Sequence, residues 1–265
     1  MKFIVNKELF NNYNNLSVGV IVCNNIDNTK NVDLANEIKK VNVDVISKFS
    51  NIDPLSEYPI IREWRNIYKS FGEKKSRSSI EALIRRTLNG NDIPVINPLV
   101  DIYNMISLKY ELPCGGEDID KITSDIELTY AVGVEEFIPL GETTLEIVNE
   151  SEIVYKSGNT VLCRNFNYRE SDITKLSSNT KNCILVIESV LESNKLESAL
   201  DELSNLVSTL LGATTKKYVL NKDNILNKNG IELPFMYDLS IKLRDYNLVD
   251  EIILDQDRMI DELWK

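Results

Sequence analysis

Residues 76–120 read SRSSIEALIRRTLNGNDIPVINPLVDIYNMISLKYELPCGGEDID. Ile80, Leu83, Ile84 and Leu88 recur at helical spacing, behind Ser78 or Ser79 as a cap. Asn89-Gly90-Asn91-Asp92 ends that helix. A second helix follows Pro98, with Leu99, Ile102, Tyr103 and Ile106 apolar, and stops before Pro113. Cys114 then lies in a loop, where Gly115 and Gly116 make a turn permissive. Polar groups stand here at positions that packing alone does not demand.

Upstream, residues 60–71 (IIREWRNIYKSF) place Ile60, Trp64, Ile67 and Phe71 on one helical stripe, with Gly72 as the stop. Residues 33–49 align Leu34, Ile38, Val41, Val45 and Phe49 in the same way, and 16–23 (LSVGVIVC) reads as a buried strand. Downstream, the period changes at about residue 122. Strands are expected at 126–131, 137–140, 144–148, 152–156, 160–164 and 183–190, with turns at Gly133, Gly141 and 157–159. Residues 195–211 return to helix before Gly212, and the acidic tail has helical character from about 236. Helices, then strands, then helices indicate an α+β fold rather than regular βαβ alternation.

The 265 residues contain no histidine, which excludes Ser-His-Asp and Cys-His catalysis, histidine bases and His-ligated metals. Cys23, Cys114, Cys163 and Cys183 form no Cys-x-x-Cys pair, so neither a zinc site nor a disulfide framework is expected. Cys23, Cys163 and Cys183 read as buried packing residues. The formal net charge of −11 disfavours DNA and nonspecific nucleic-acid binding. One region runs against this: Lys69, Lys74, Lys75, Arg77, Arg85 and Arg86 are opposed only by Glu73 and Glu81. It is either a solvated helix face or a contact for an RNA backbone. No apolar run is long enough for a membrane helix, and the asparagine-interrupted N-terminus does not read as a signal peptide. A cytoplasmic protein is the expectation.

The order of residues is specific. Arg85-Arg86 precede Ile93-Pro94-Val95-Ile96-Asn97-Pro98-Leu99-Val100-Asp101, then Asn104, then Leu112-Pro113-Cys114-Gly115-Gly116-Glu117-Asp118. Ala131, Glu135 and Glu152-Ile153-Val154-Tyr155 follow, then Cys163-Arg164-Asn165-Phe166-Asn167-Tyr168-Arg169-Glu170 and Thr180. Over about residues 60–215 the chain resembles the B3/B4 domain, the editing module of the bacterial phenylalanyl-tRNA synthetase β subunit. It is similar above all to stand-alone proteins built on that domain.

The resemblance implies a three-layer fold, with helices flanking a central β-sandwich of unusual topology. It divides the chain into an N-terminal α/β segment (1–59) packed on the core, the B3/B4-like domain (60–215), and an acidic, partly helical extension (216–265). The synthetase domain hydrolyses tyrosine wrongly attached to the phenylalanine tRNA. A stand-alone relative is then a trans-acting aminoacyl-tRNA hydrolase, without a cofactor, or a protein that binds aminoacyl-tRNA or a free amino acid. Three departures stand out. Gly115 occupies the place of the synthetase histidine in Pro-x-His-x-x-Asp, Leu128-Thr129 replaces a Leu/Val-Arg pair, and the Gly-Gly-Glu run falls near Asn167-Tyr168-Arg169, with Glu170 as the nearby carboxylate. No catalytic set carries over intact.

The expected substrate-binding residues are Asn97, Asp101, Asn104, Gly115, Gly116, Asp118, Glu135, Glu152, Arg164 and Asn167. Lys74, Lys75, Arg77, Arg85 and Arg86 are the expected tRNA-backbone contacts. Structural roles stand beside these. Asn97 can cap a helix, Asp101 can pair with Arg85 or Arg86, and Glu135 and Glu152 can be surface carboxylates. Arg164 and Arg169 can form buried salt bridges to Asp172 or Glu170. Cys114 has no base beside it to make a nucleophile. Ester hydrolysis itself needs only a positioned water and N–H donors for the oxyanion, because the aminoacyl ester is already activated.

Overall fold

The computed structural model describes residues 1–225, 230–232, 243–244, 246 and 248. Apart from residues 243–244, 246 and 248, the helical tail expected from about residue 236 lies outside the described residues. The chain opens with β1 (Lys2–Val5), α1 (Lys7–Asn12), β2 (Ser17–Asn24) and α2 (Ala35–Phe49). Three helices follow: α3 (Pro59–Ser70), α4 (Ser79–Leu88) and α5 (Pro98–Tyr110). Then come β3 (Cys114–Asp118), β4 (Ile126–Tyr130), β5 (Glu136–Phe137), β6 (Glu146–Ile147), β7 (Ile153–Ser157), β8 (Thr160–Arg164) and β9 (Arg169–Glu170). The chain continues through β10 (Cys183–Ser189), α6 (Lys195–Leu211), β11 (Thr214–Asn221) and β12 (Ile231–Glu232).

Two sheets carry the architecture, as an α+β fold requires. The larger runs β12-β1-β4-β7-β8-β5-β6, with β9 also paired to β8. The smaller is the antiparallel β11-β2-β10-β3. Both faces of the smaller sheet are covered, which its sequence shows in retrospect. On β10, Ile184 and Val186 point between the sheets, while Cys183, Leu185 and Ile187 point outward with α5 and α6. β2 alternates in the same way, with Val18, Val20 and Val22 inward and Ile21 and Cys23 outward. Strands buried on both faces read as unbroken apolar runs, and this is why LSVGVIVC and CILVIESV stood out. β1 and β2 are woven into the two sheets, beside β4 and β10 respectively.

Helix ends follow local chemistry. Asn97 caps α5, its Oδ1 accepting from Val100 N at 3.1 Å, and Pro98 takes the first turn. Ser78 caps α4 by accepting from Glu81 N. Gly212 closes α6 at φ 76°.

The expected loop at Cys114 is instead a strand. Cys114–Asp118 pairs with β10 along its length and forms the edge of the smaller sheet. Gly115 and Gly116 do not serve a turn there. A Cβ on Gly116 would lie 2.6 Å from Leu185 Cδ2 and 2.9 Å from the Ile184 carbonyl oxygen. Gly116→Ala is expected to destabilise the protein by about 1–3 kcal/mol through this overpacking, read as a lower urea midpoint at unchanged slope.

Candidate functional site

Register fixes which side chains meet between the sheets. Directly opposed residues on neighbouring strands share a face. Across the larger sheet, Leu128, Tyr155, Cys163 and Glu170 form one such row from β4 to β9. Across the smaller sheet, Glu117 opposes Ile184 and Gly115 opposes Val186, so both share the inward face of β10. Glu188, two residues beyond Val186, also faces inward. Three carboxyls are thus brought between the sheets by strand alternation alone.

They surround a cavity lined by Gly115, Gly116, Tyr155, Phe166 and Asn167 together with the three acids. Its envelope to the mouth is about 350 Å³, but its free interior is about 20 Å³, room for one water-sized group. Ile126, Ile184 and Val186 supply apolar wall. Gly115 matters here in a way that a turn residue would not. A Cβ at this position would lie 3.0 Å from Glu170 Oε1, so its absence lets the carboxyl lie against the β3 backbone.

The hydrogen bonds fix the orientation of Asn167. Its Oδ1 accepts from Tyr68 Oη at 2.9 Å and from Ser79 N at 3.3 Å. A backbone N–H can only donate, so the amide's other end is the donor. That Nδ2 reaches Glu188 Oε2 at 3.1 Å, and Tyr155 Oη reaches Glu188 Oε1 at 2.7 Å. On the other side, Thr174 Oγ1 donates to Glu117 Oε2 at 2.5 Å. The turn before Asn167 places both Asn165 (φ 49°) and Phe166 (φ 64°) in the left-handed region, which costs roughly 1–2 kcal/mol per residue. Phe166 packs edge-on against Trp64 of α3, their ring centroids 5.0 Å apart.

Among the described residues no cation pairs with the acids inside this space, and their protonation reflects that. Burial pushes Glu188 up to about 8, even though Tyr155 and Asn167 donate to it. Burial pushes Glu170 up to about 7, with hydrogen bonds from Glu117 and Cys163 opposing. Glu170 is half-buried as a residue, but Glu117, Cys163 and the Gly115 backbone enclose its carboxyl. Glu117 is raised too, by burial and then by the charge of Glu170, so the two acids share a proton as a pair. Tyr103 of α5 borders the same acids, and burial raises its hydroxyl as well.

The edge position of β3 supplies donors. Glu188 N bonds the Pro113 carbonyl, so Pro113, Gly115 and Glu117 turn their polar backbone toward β10. By ladder alternation, Cys114, Gly116 and Asp118 turn theirs away, as the Asp118 N bond to the Thr174 carbonyl illustrates. Gly116 N–H is therefore directed off the sheet edge beside the cavity.

The description "B3/4 domain" fits residues 63–212 of this chain, more than half its length. The chain belongs to the B3/4 domain family. No curated protein matches it at a significant level. Among solved structures, an N-terminal fragment of the phenylalanyl-tRNA synthetase β-subunit from Pyrococcus horikoshii is similar at 13% identity and a TM-score of 0.44. That alignment covers 94% of this chain and 61% of the fragment, so the chain spans about three fifths of the fragment's length.

In this B3/4 protein the cavity gathers Gly115, Gly116 and Asn167 from the residues expected of the site. The others lie elsewhere. Asn97 caps α5 and also accepts from Asn28 Nδ2. Asp101 accepts from Ile96 N rather than pairing with Arg85 or Arg86. Asn104, on α5, is half-buried and does not line the cavity. Asp118 accepts from Thr180 Oγ1 and Asp120 N. Glu135 is buried, gathering the N–H groups of its own turn and the Lys156 ammonium. Glu152 is buried with Arg164, whose Nε and Nη2 reach it at 3.0 and 2.6 Å while Nη1 reaches Glu146.

The basic region of the B3/4 domain is partly consumed by its own helix. Arg85 and Arg65 both bond the buried Glu81, and Arg77 lies 3.9 Å from it. Arg86 donates to the Asp92 carbonyl. Lys74, Lys75 and Arg77 are exposed just ahead of α4. The site residues that sequence reasoning passed over are Glu188 and Tyr68, with Tyr103 read only as part of a helical stripe and Glu117, Tyr155 and Glu170 noted only in the family pattern. Glu188 carried one signal, a carboxylate inside an otherwise apolar strand. No helix among the described residues is long and apolar enough to cross a membrane.

Proposed function

We propose that this B3/4 protein hydrolyses the ester of mischarged aminoacyl-tRNA, holding the aminoacyl group against the cavity between the sheets. The supporting observation is the convergence of Glu170, Glu117 and Glu188 on one cavity beside the Gly115–Gly116 edge. In this reading Glu170 is the general base, because a carboxyl near pKa 7 is available as carboxylate and binds a proton readily. It takes a proton from the attacking water and passes it to the departing ribose oxygen as the acyl–oxygen bond breaks. Gly116 N–H is the donor to the developing oxyanion. Lys74, Lys75 and Arg77 are the tRNA-backbone contacts. The segment that carries them leads into α4, whose Ser79 N bonds Asn167 of the cavity.

The alternative, a pocket that binds an amino acid without chemistry, is favoured by Gly115 standing where the resembled synthetase pattern has a histidine. Cys114 and Cys163 are buried, and burial pushes both thiols upward. A deacylation assay on a panel of mischarged tRNAs separates the two. Glu170→Gln is expected to slow turnover about 100-fold with little change in Tm. Absence of turnover on every tRNA in the panel, with thermal stabilisation by free amino acids, would favour the binding module.

A further inference from the structure

The cavity is described above as a place where a reaction occurs, but its shape and charge also restrict what can enter it. Its free interior of about 20 Å³ admits one water-sized group. An aromatic ring does not fit without displacing Tyr155 or Phe166. The α-ammonium of an aminoacyl ester is small enough, but its carbon also bears the ester and the side chain, too much bulk to follow it inward. The end of a slim, unbranched side chain meets the requirement. The apolar wall at Ile126, Ile184 and Val186 suits methylenes behind it.

Polarity decides what that end carries. Glu117 and Glu188 are 6% and 2% exposed, and both present oxygens to this space. Glu188 already accepts from Tyr155 and Asn167, so its proton is the mobile one on its side. Glu170 lies against Glu117, Cys163 and the β3 backbone. The basic side chains nearby are committed elsewhere: Arg164 to Glu152 and Glu146, and Arg169 to Glu146 and Glu142. Lys121 bonds the Lys175 carbonyl and approaches Asp118, acting on Glu117 only from a distance. Tyr68, Tyr103, Tyr155 and Cys163 complete the surroundings, and all four are neutral. Among the described residues no group of side chains is gathered to hold a metal ion. Among the described residues the space is acidic, water-sized and without a positive charge of its own.

We propose that the cavity selects aminoacyl groups with a primary ammonium at the end of a short, unbranched aliphatic side chain. This rests on the reading of the cavity as the substrate site. The ammonium replaces a proton: as it enters, Glu188 gives its proton to solvent, and Glu170 stays free to act on the ester. Binding therefore strengthens as pH rises toward 8, and it releases protons.

The test compares L-ornithine methyl ester with L-norleucine methyl ester. The two share the ester and the α-amino group, and an ammonium in one replaces a methyl in the other. Calorimetry on the full chain at pH 8 is expected to show at least about tenfold tighter binding of the ornithine ester, with net proton release seen as a buffer-dependent enthalpy. The preference shrinks by pH 6 and falls in Glu188→Gln, whose folding is checked by Tm. Equal or tighter binding of norleucine, or a preference unchanged in that variant, would overturn the proposal. Binding is read without turnover, so failure of the tRNA deacylation assay leaves this comparison decisive. Hydrolysis of misacylated tRNA with no ornithine preference would overturn the selection while keeping the hydrolase.

Discussion

Arg164→Ala is expected to lower the unfolding free energy by about 3–5 kcal/mol. The guanidinium grips Glu152 through two nitrogens, at 3.0 and 2.6 Å, and turns its third toward Glu146 at 2.5 Å. It also lies over the Phe137 ring, 5.6 Å from the centroid. Glu152 is 2% exposed, and among the described residues Asn149 is its one other donor. Removing the arginine strands that carboxylate in a low-dielectric interior, and the stranded charge costs far more than the pair itself contributes. The companion variant Arg164→Met/Glu152→Leu removes both charges at similar volume and is expected to lie within roughly 1–2 kcal/mol of the parent. Urea denaturation of the three proteins checks both values. A loss below about 1 kcal/mol for Arg164→Ala would mean that the arginine is free for another task.

This residue shows where sequence reading loses its grip. An Arg-x-x-Asn segment in a family pattern invites a pocket row, and Asn167 does enter the cavity. Yet Arg164 and Asn167 flank two consecutive left-handed residues, Asn165 and Phe166. A strand period cannot be carried across that turn. The same limit applied at Gly115-Gly116. Glycine pairs are permissive, so the sequence suggested a turn, but neither glycine has a positive φ. Their use is steric, and it depends on Leu185, Ile184 and Glu170, which lie far along the chain. Helices α2 to α6 were legible because their stripes and caps are local. α6 begins and ends where its periodicity and Gly212 place it. The site was legible only in part, because a carboxylate's burial is set by the opposite sheet. Glu188 has the spacing of a core residue, and only the register with β3 and the facing row on β7 to β9 gives it partners.

The pH dependence of stability should expose that buried acid directly. Burial holds Glu188 at about 8, against an ordinary value near 4.5. Between those limits the unfolded chain has lost a proton that the folded chain retains. Stability from this group is then fully present below about pH 4.5, declines as pH rises, and levels off above about 8. Glu170, raised to about 7, adds a similar decline that ends about one pH unit sooner. Each unit of pH within the window is worth at most about 1.4 kcal/mol per group. Relaxation around a newly charged buried group reduces the total, so about 2–4 kcal/mol is expected from Glu188. General repulsion in a chain of net charge −11 also grows with pH, so the measurement must be a difference between two proteins. Glu188→Gln provides it. The amide oxygen can accept from Asn167 Nδ2 and its NH2 can donate to the Tyr155 oxygen, reproducing the protonated acid. The variant is expected to match the parent near pH 5 and to exceed it by about 2–4 kcal/mol at pH 9. Parallel stability curves for the two proteins would mean that Glu188 ionises normally, and the cavity would then hold a permanent negative charge rather than a proton to exchange.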